Sequence, residues 1–403
     1  MEPKIRLKGF SGEWEETTMG DISTSFSGGT PSAGVAKYYG GNIPFIRSGE
    51  IAEDKTQLFI TEEGLNASSA RIVDKGTLLY ALYGATSGEV SISKINGAIN
   101  QAILAIYPKK GYSSEYLSHF LRAKKNVIVG ALLQGGQGNL SGALVKGIRV
   151  ILPETYKEQN AIASYFQHLD SLIQSTTKKI ESLKQVKTAS LQSMFPQEGE
   201  ITPRVRFKGF EGEWERVPLN KFAKRVTRKN KNMESTLALT ISSIYGLVSQ
   251  IDYFNNLVVG ANLTNYYLLK KGEFAYNKSY SNGYPFGSVK RLDRYDQGIL
   301  STLYIVFNIN DEISSDYLTH FFDTTLWHKQ VAERAEEGAR NHGLLNIGTD
   351  DFMSIDIVMP HSIKEQTAIA SYFSTLDTQI SLQTQRLEKL KQIKSACLDN
   401  MFV

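Results

Sequence analysis

The stretch PETYKEQNAIASYFQHLD at residues 153–170 returns as PHSIKEQTAIASYFSTLD at residues 360–377. The agreement continues downstream, where LKQVKTASLQSMF at 183–195 corresponds to LKQIKSACLDNMF at 390–402. Repetition over long stretches of one chain indicates two copies of the same structural unit. The chain is therefore predicted to contain one scaffold twice.

A second repeated motif precedes each copy. RLKGFSGEWE at 6–15 returns as RFKGFEGEWE at 206–215. Between these motifs and the repeated stretches the two halves share little beyond SSEYLSHF at 113–120 and SSDYLTHF at 314–321. This pattern, a common frame around two unlike modules, is typical of a protein that docks the same partner twice while its modules recognise different targets.

The repeated stretches have apolar residues at alternating steps of four and three, which is the heptad spacing of a coiled coil. Pro153 and Pro360 precede the two copies and Pro196 follows the first, so each predicted helix spans about 38 residues, or roughly 57 Å. A narrow apolar seam on so long a helix needs a partner helix, and antiparallel pairing of the two copies is preferred. The alternative is two amphipathic helices that pack on separate domains. The predicted seam residues are Ile162, Phe166, Leu169, Ile173, Ile180 and Leu183, and Ile369, Phe373, Leu376, Ile380, Leu387 and Leu390.

Short β-branched and aromatic runs separated by glycine-rich turns fill both modules, at about 16–150 and 217–359. Each module also contains a predicted helix: SSEYLSHFLRAKKN at 113–126, where a serine cap lies ahead of Glu115, and SSDYLTHFFDTTLWHKQVAERAE at 314–336. The predicted fold class is α+β: two mixed α/β domains held apart by two long helices that form an antiparallel coiled coil, with a pseudo-two-fold internal repeat.

Composition narrows the functional classes. The single cysteine, Cys397, allows no disulfide within the chain, as expected of a cytoplasmic protein, and the first residues lack the apolar core of a signal peptide. The net charge of +4 is small, but the run KFAKRVTRKN at 221–230 contains no acid. Its basic residues have near-helical spacing, which predicts either phosphate contact or a solvated helix face.

The stretch GGTPSAGVAKYYGGNIPFIRSGEI at 28–51 opens the first module, and the pattern PxxxxEQxAIAxxFxxLD begins each repeated helix. On these residues the chain resembles the target recognition domains and helices of type I restriction-modification specificity subunits. The second module lacks the GGTP opening. The resemblance implies target recognition domains at 1–152 and 197–359 and spacer helices at 153–196 and 360–403.

The same resemblance implies that each module reads one half of an asymmetric, bipartite DNA site. Side chains with paired donors and acceptors in polar, glycine-rich loops are suited to reading bases and phosphates. The candidate DNA-binding residues are Lys37, Tyr38, Arg47, Thr86, Ser87, Gln137 and Asn139 in the first module, and Lys224, Arg225, Arg228, Lys278, Tyr280, Asn282, Arg340, Asn341 and His342 in the second.

No catalytic or metal-binding residue is predicted. The chain has neither an Asn-Pro-Pro-aromatic loop for methyl transfer to adenine nor the Gly-Lys dipeptide of a phosphate-binding loop, and its six histidines form no metal-ligand pair at helical spacing. Two alternatives stay open: a DNA-binding protein that acts alone, and a nuclease or methylase with an unrecognised site. Turnover by the isolated chain would favour the second.

The resemblance implies partners rather than cofactors. Two modification (methyltransferase) subunits would dock on the paired helices and methylate an adenine in each half-site, and restriction (motor-nuclease) subunits would join for cleavage of double-stranded DNA. S-adenosylmethionine, ATP and magnesium would be bound by those subunits and not by this chain.

Overall fold

The computed structural model describes residues 2–132, 139–255, 263–281, 283–335 and 345–402. The chain divides into two compact units. Unit 1 comprises Met1–Lys178 and Gln385–Val403, and unit 2 comprises Lys179–Thr384. The unit boundaries cut across both repeated helices, whereas the four segments predicted from sequence are consecutive along the chain.

Unit 1 is an α+β unit. Its described strands are β1 (Trp14–Thr18), β2 (Ser23–Ser27), β3 (Tyr39–Ile46), β4 (Phe59–Ile60), β5 (Arg71–Val73), β6 (Leu78–Ala81), β7 (Val90–Ile92), β8 (Gly97–Ile99), β9 (Ile103–Pro108) and β10 (Arg149–Pro153). Its helices are α1 (Met19–Ile22), α2 (Glu62–Asn66), α3 (Ser114–Ala123), α4 (Lys125–Leu132), α5 (Gly142–Lys146) and the first part of α6 (Tyr156–Met194).

Two four-stranded sheets form the centre of unit 1. One has the order β2-β9-β6-β7 and is antiparallel, and the other has the order β4-β3-β8-β5 with a parallel pair between β3 and β8. β6 is a run of four apolar residues, all buried, because it lies between neighbouring strands in the middle of its sheet. A separate antiparallel pair, β1 and β10, joins the start of the module to its end.

Unit 2 is built from the corresponding elements. Its described strands are β11 (Glu215–Pro218), β12 (Ala223–Arg225), β13 (Leu239–Ser242), β14 (Gly246–Ser249), β15 (Tyr267–Lys270), β16 (Phe274–Asn277), β17 (Ser288–Arg291), β18 (Gln297–Leu300), β19 (Ile305–Ile309) and β20 (Asp356–Met359). Its helices are α7 (Gln250–Phe254), α8 (Ser315–Phe321), α9 (His328–Arg334), α10 (Thr349–Met353) and the first part of α11 (Ile363–Met401).

The sheets of unit 2 repeat those of unit 1. The order β12-β19-β16-β17 matches β2-β9-β6-β7, and the pair β11 and β20 matches β1 and β10. A parallel bridge between Ala238 and Ile299 stands where unit 1 has the parallel pair of β3 and β8. The second module therefore has the architecture of the first although it lacks the GGTP opening.

Two segments of unit 2 differ from a helical prediction. The basic run at 221–230, for which a solvated helix face is one of the two predictions, is not helical: Ala223–Arg225 is an edge strand, and a 3-10 turn at Leu219–Lys221 precedes it. The single helix predicted from SSDYLTHF onward is two helices, α8 and α9. Thr324 interrupts it, because its hydroxyl donates to the carbonyl oxygen of Phe321 at 2.7 Å and accepts the Leu326 N–H at 3.3 Å.

The repeated helices α6 and α11 have 39 residues each and run antiparallel where they meet. Within unit 1, the Tyr165 hydroxyl lies 3.5 Å from Sγ of Cys397, and Lys394 donates to Asp170 at 2.5 Å. Within unit 2, the Ser190 and Tyr372 hydroxyls lie 2.9 Å apart. The contact partners rise along one helix as they fall along the other, which confirms antiparallel pairing.

The predicted seam faces inward on both helices. Seven of its residues are buried: Ile162, Phe166, Leu169, Ile180, Ile369, Phe373 and Leu376. Five are half-buried: Ile173, Leu183, Ile380, Leu387 and Leu390. Because Phe166 and Phe373 belong to the cores of their own units, a charged substitution there would unfold the unit.

No helix among the described residues has the length and apolar character needed to cross a membrane.

Candidate nucleic-acid interface

The loop between β6 and β7 brings three predicted residues of unit 1 to one end of the sheet. The carbonyl oxygen of Leu82 accepts the Leu140 N–H at 3.0 Å and the Ser87 hydroxyl at 3.1 Å. Thr86 lies in the same loop, and Asn139, which precedes Leu140, is exposed. Two polar loops that are about 50 residues apart in the chain thus form one surface, as a site assembled from loops requires.

Unit 2 repeats this arrangement with different side chains. The Leu345 N–H donates to the carbonyl oxygen of Lys278 at 3.0 Å, which is the counterpart of the bond between Leu140 and Leu82. Tyr280 follows in the β16–β17 loop with 55 % of its surface exposed. The Lys278 ammonium donates to the Ile347 carbonyl oxygen at 3.3 Å, so its charge stays beside this loop.

Three further candidates of unit 1 lie at the two ends of β3. Lys37 is exposed and pairs with Glu63, and Tyr38 is half-buried next to it. Arg47 donates two bonds to the Glu50 carboxylate, at 2.8 and 3.1 Å. This bidentate contact lowers the pKa of Glu50 to about 2. The guanidinium of Arg47 is therefore already engaged within the unit.

The basic run divides into exposed and engaged side chains. Lys224 and Arg225 are exposed on the edge strand β12, and Arg225 donates to the Tyr267 hydroxyl at 3.4 Å. Arg228 pairs with the largely buried Glu273 at 2.6 Å. Lys224 and Arg225 are thus placed to meet a ligand from solvent, whereas the Arg228 charge holds two segments of unit 2 together.

The candidates Gln137, Asn282, Arg340, Asn341 and His342 lie outside the described residues. Their contribution stays a prediction.

Sequence reasoning missed an exposed apolar turn in unit 2. Ile244 and Tyr245, between β13 and β14, have 75 % and 60 % of their surfaces exposed. The Ser243 hydroxyl lies 3.1 Å from the hydroxyls of both Ser281 and Ser288, so this turn is beside the β16–β17 loop. The sequence signal was two large apolar residues immediately before a turn glycine, a place where polar residues are usual.

One group of possible metal ligands is already neutralised. His320, Asp323 and Asp377 of unit 2 bring three ligand atoms together. The Lys187 ammonium lies 2.9 Å from Asp323 and 2.7 Å from Asp377, so a resident positive charge occupies the space between the carboxylates. The group is an ion-pair network of the unit rather than a candidate metal centre.

The start of each repeated helix is fixed by the same three contacts. Arg6 pairs with buried Glu158 at 2.7 Å, and Gln159 accepts the Ser113 N–H at 2.9 Å while donating to the Pro153 carbonyl oxygen at 2.9 Å. In unit 2 the equivalent residues are Arg206, Glu365, Gln366, Ser314 and Pro360. The Glu-Gln pair of the repeated motif thus joins each helix to its module.

Comparison with known proteins agrees with this architecture. A family model described as type I restriction modification DNA specificity domain matches residues 11–185 and 212–392. The two matches cover most of the chain, one in each half. The chain therefore belongs to the family of type I restriction modification DNA specificity domains, in two copies.

Among curated relatives, the MjaIX type I restriction enzyme specificity subunit of Methanocaldococcus jannaschii is 30 % identical over 191 residues, which is 45 % of this chain and 44 % of the relative. A second relative from that organism, the MjaVIII specificity subunit, is 21 % identical over 96 % of this chain and 91 % of its own length. The match to the first relative spans less than half of that protein.

A solved structure of a type I restriction-modification S subunit from M. genitalium has the same fold. Its TM-score is 0.64 at 14 % identity, covering 100 % of this chain and 99 % of that one.

Proposed function

We propose that the chain is the DNA-specificity subunit of a type I restriction-modification complex and recognises an asymmetric, bipartite DNA site. The observation that carries the proposal is a family match in both halves over a scaffold whose loops differ at the same edge. Thr86 and Ser87 occupy the loop in unit 1 where unit 2 has Lys278 and Tyr280. Because unlike side chains read unlike bases, the two half-sites differ.

The second module has an additional means of reading. Exposed Ile244 and Tyr245 lie beside the loop that contains Tyr280 and offer apolar surface to a thymine methyl group or to the gap between two base pairs. Lys224 and Arg225 supply positive charge to the phosphate backbone. Reading of bases and positioning on phosphates thus fall to different side chains of unit 2.

The chain itself is a non-catalytic subunit that directs adenine methylation or cleavage by its partners. Two modification subunits dock on the paired helices, and restriction subunits join for cleavage. The support for two equivalent docking faces is the exposed surface of α6 and α11: exposed Lys184 and Gln185 correspond to exposed Lys391 and Gln392. S-adenosylmethionine, ATP and magnesium belong to the partners, and the complex works in the cytoplasm.

Module exchange tests the proposal. Residues 16–150 are replaced by the corresponding module of a relative, and adenine methylation is mapped across the genome of cells that contain the partner subunits. Only one half of the methylated site is expected to change. The reciprocal replacement of 217–359 is the matched control and must change the other half. A change in both halves, or in neither, contradicts one-module-one-half-site recognition.

The phosphate-contacting role of the edge strand has its own test. Replacing Lys224 and Arg225 by alanine in the assembled complex should lower the slope of log K against log salt by about two, since each phosphate contact contributes about 0.9. The control replaces Lys208 and Lys271, which are also exposed in unit 2, by alanine. Equal slopes for the two variants would show that Lys224 and Arg225 on β12 do not contact the phosphate backbone.

A further inference from the structure

Unit 1 contains an open cleft of about 590 Å³ that the proposed DNA-reading function does not use. It lies beside α3, the end of β7 and the first half of α6, and its lining residues fall within 75–76, 91–94, 115–122 and 167–174. A cleft of this size has room for a small molecule.

Three cations line the cleft: Lys75, Lys94 and Arg122. None of the three is ion-paired with a carboxylate in the part of the chain that the structure describes. Of the two acids of the lining, Asp170 is ion-paired with Lys394 at 2.5 Å, whereas Glu115 accepts a hydrogen bond from the neutral Ser113 hydroxyl at 3.2 Å and keeps its charge. Three cations thus face one carboxylate that has no cationic partner among the described residues, and the lining carries an excess of positive charge.

Unit 2 provides an internal comparison, because its register is the same. In the β6–β7 hairpin of unit 1, Ser91 pairs with Leu79. In the corresponding β16–β17 hairpin of unit 2, Lys290 pairs with Ala275, so Lys290 occupies the position of Ser91. The motifs SSEYLSHFLR and SSDYLTHFFD likewise place Asp323 at the position of Arg122. Unit 2 thus has a long cation on the strand and an acid on the helix, where unit 1 has a short hydroxyl and a cation.

In unit 2, the side chains at these two positions, Lys290 and Asp323, pair with each other. Lys290 pairs with Asp323 at 3.2 Å, and the neighbouring Arg291 pairs with Asp316 at 2.7 Å. Burial opposes the ionisation of Asp323, but the charges of Lys290 and Lys187 hold its pKa well below the usual range. Unit 2 thus supplies from its own chain the anion that unit 1 lacks at the same place.

Neutral hydrogen-bonding groups complete the lining in unit 1. His119 is only 4 % exposed, and burial, with the positive charge of Arg122 nearby, lowers its pKa to about 4. Its imidazole is therefore neutral at pH 7. The hydroxyls of Ser118 and Ser171 and the amides of Gln167 and Gln174 can donate hydrogen bonds. The hydroxyls of Ser91 and Ser93 already donate to backbone carbonyl oxygens. A ligand with several acceptor oxygens and more than one negative charge satisfies such a set.

We propose that this cleft binds a small anion with two or more phosphate groups, either an inorganic polyphosphate or a nucleotide. Nε of Arg122 donates to the Val90 carbonyl oxygen at 3.0 Å, which holds the guanidinium in place and leaves its two terminal amino groups for phosphate oxygens. The two ammonium groups are also suited to phosphate oxygens, and the remaining volume accommodates the rest of the ligand. The proposal rests on the contrast between the two units and not on the proposed function.

The cleft is separate from the predicted DNA-reading loops. Lys75 precedes β6 and Lys94 follows β7, so both lie at the opposite end of this hairpin from the loop with Thr86 and Ser87. A ligand in the cleft is therefore distinct from the phosphate backbone of DNA read by unit 1.

The test uses the full chain, with pyrophosphate and ADP as probes in isothermal titration calorimetry. The variant S91K/R122D installs the side chains of unit 2, lowers the net charge by one and should close the cleft with its own ion pair. It is expected to bind both probes at least about tenfold more weakly than the unaltered chain. The control K208A lowers the net charge equally at an exposed site of unit 2 and should bind as the unaltered chain does.

Several results would overturn the proposal: no binding of either probe by the unaltered chain, equal weakening in K208A, or citrate binding as tightly as pyrophosphate. Tighter binding of ADP than of pyrophosphate identifies a nucleotide, and the reverse an inorganic polyphosphate. Thermal unfolding checks that S91K/R122D is folded, and R122Q replaces it in the titration if it is not. Displacement of pyrophosphate by a DNA duplex at constant salt would also overturn the proposal. Failure of the module exchange would contradict the proposed DNA-reading function and would not affect this proposal.

Discussion

At the scale of single residues, side chains that are identical in the two repeats make the same contacts in both units. Glu158 and Glu365 each accept from an arginine at 2.7 Å, and both carboxylates are almost wholly buried. Removing one partner of a buried ion pair leaves an uncompensated charge, so these positions tolerate little change. The two repeats share these residues because the residues join each helix to its module, and not because they contact a ligand.

The glutamine beside each glutamate gives the clearest stability prediction. Gln366→Ala should lower the free energy of unfolding by about 2 kcal/mol or more, because the Ser314 N–H and the Pro360 carbonyl would lose their buried partner. Urea denaturation of the full chain measures the change. Gln379→Ala, on the exposed face of the same helix, is the control and should stay within about 0.5 kcal/mol. A similar effect from both variants would contradict the buried role.

The buried imidazole of His119 predicts a pH dependence. Its pKa is lowered from 6.5 to about 4 in the folded chain, so the unfolded chain takes up the proton first as the pH falls. The unfolding free energy should therefore decrease between about pH 6.5 and pH 4, by about 3 kcal/mol at most. Urea denaturation at several pH values should show that His119→Gln loses this part of the slope. His361→Gln, at an exposed histidine, should retain it.

At the scale of elements, each long helix ends in the unit that the other helix begins. Phe402 follows α11 and packs in unit 1, with its ring 5.4 Å from Tyr116 and 5.5 Å from Phe166. Phe195 follows α6 and packs in unit 2, with its ring 6.1 Å from Trp214 and 5.9 Å from Phe373. Both aromatic residues are fully buried, so the helix ends contribute to the cores of the units.

This exchange of helix ends predicts a remote effect. Phe402→Ala should destabilise unit 1 by about 3–5 kcal/mol through the cavity it leaves, although residue 402 belongs to the second repeat. Hydrogen exchange followed by mass spectrometry should show faster exchange in α3 and β10 and no change in α8 and β20. Phe195→Ala is the mirror control and should give the opposite pattern. Faster exchange in both units with either variant would show that the units do not unfold separately.

At the scale of the whole molecule, the connection between the two repeats has a counterpart at the ends of the chain. The Val205 N–H donates to the Ser193 carbonyl oxygen at 2.9 Å in unit 2. In unit 1 the Ile5 N–H donates to the Asn400 carbonyl oxygen at 3.0 Å. The first and last described segments therefore lie side by side in unit 1, in the place where unit 2 has a continuous chain.

A circular permutant follows from this correspondence. The last residue is joined to Lys4 through a copy of QEGEITP from 197–203, and the chain is opened between Glu198 and Gly199. The permutant should fold with an unfolding free energy within about 2 kcal/mol of the original, since both units keep all their elements. Urea denaturation and gel filtration measure the outcome. A permutant opened within β6 is the control and should not fold, and equal behaviour of the two would contradict the prediction.

The repeat, the helix lengths and the inward-facing seam could be predicted from sequence. They depend on local spacing, which is read directly from residues such as Ile162 and Phe373. The basic run could not be assigned correctly, because its conformation depends on pairing with β19, about 80 residues further on. The engagement of Arg228 by Glu273 was likewise invisible, since the two are 45 residues apart.

The sequence alone thus determined that one architecture occurs twice and that two long helices must pair. Identical side chains at identical spacing favour the same local structure. The folded chain settles which unit receives each helix end, which cations of the cleft have no carboxylate partner among the described residues, and which loops form one surface. These features depend on contacts between residues far apart in the chain, and no local pattern specifies those contacts.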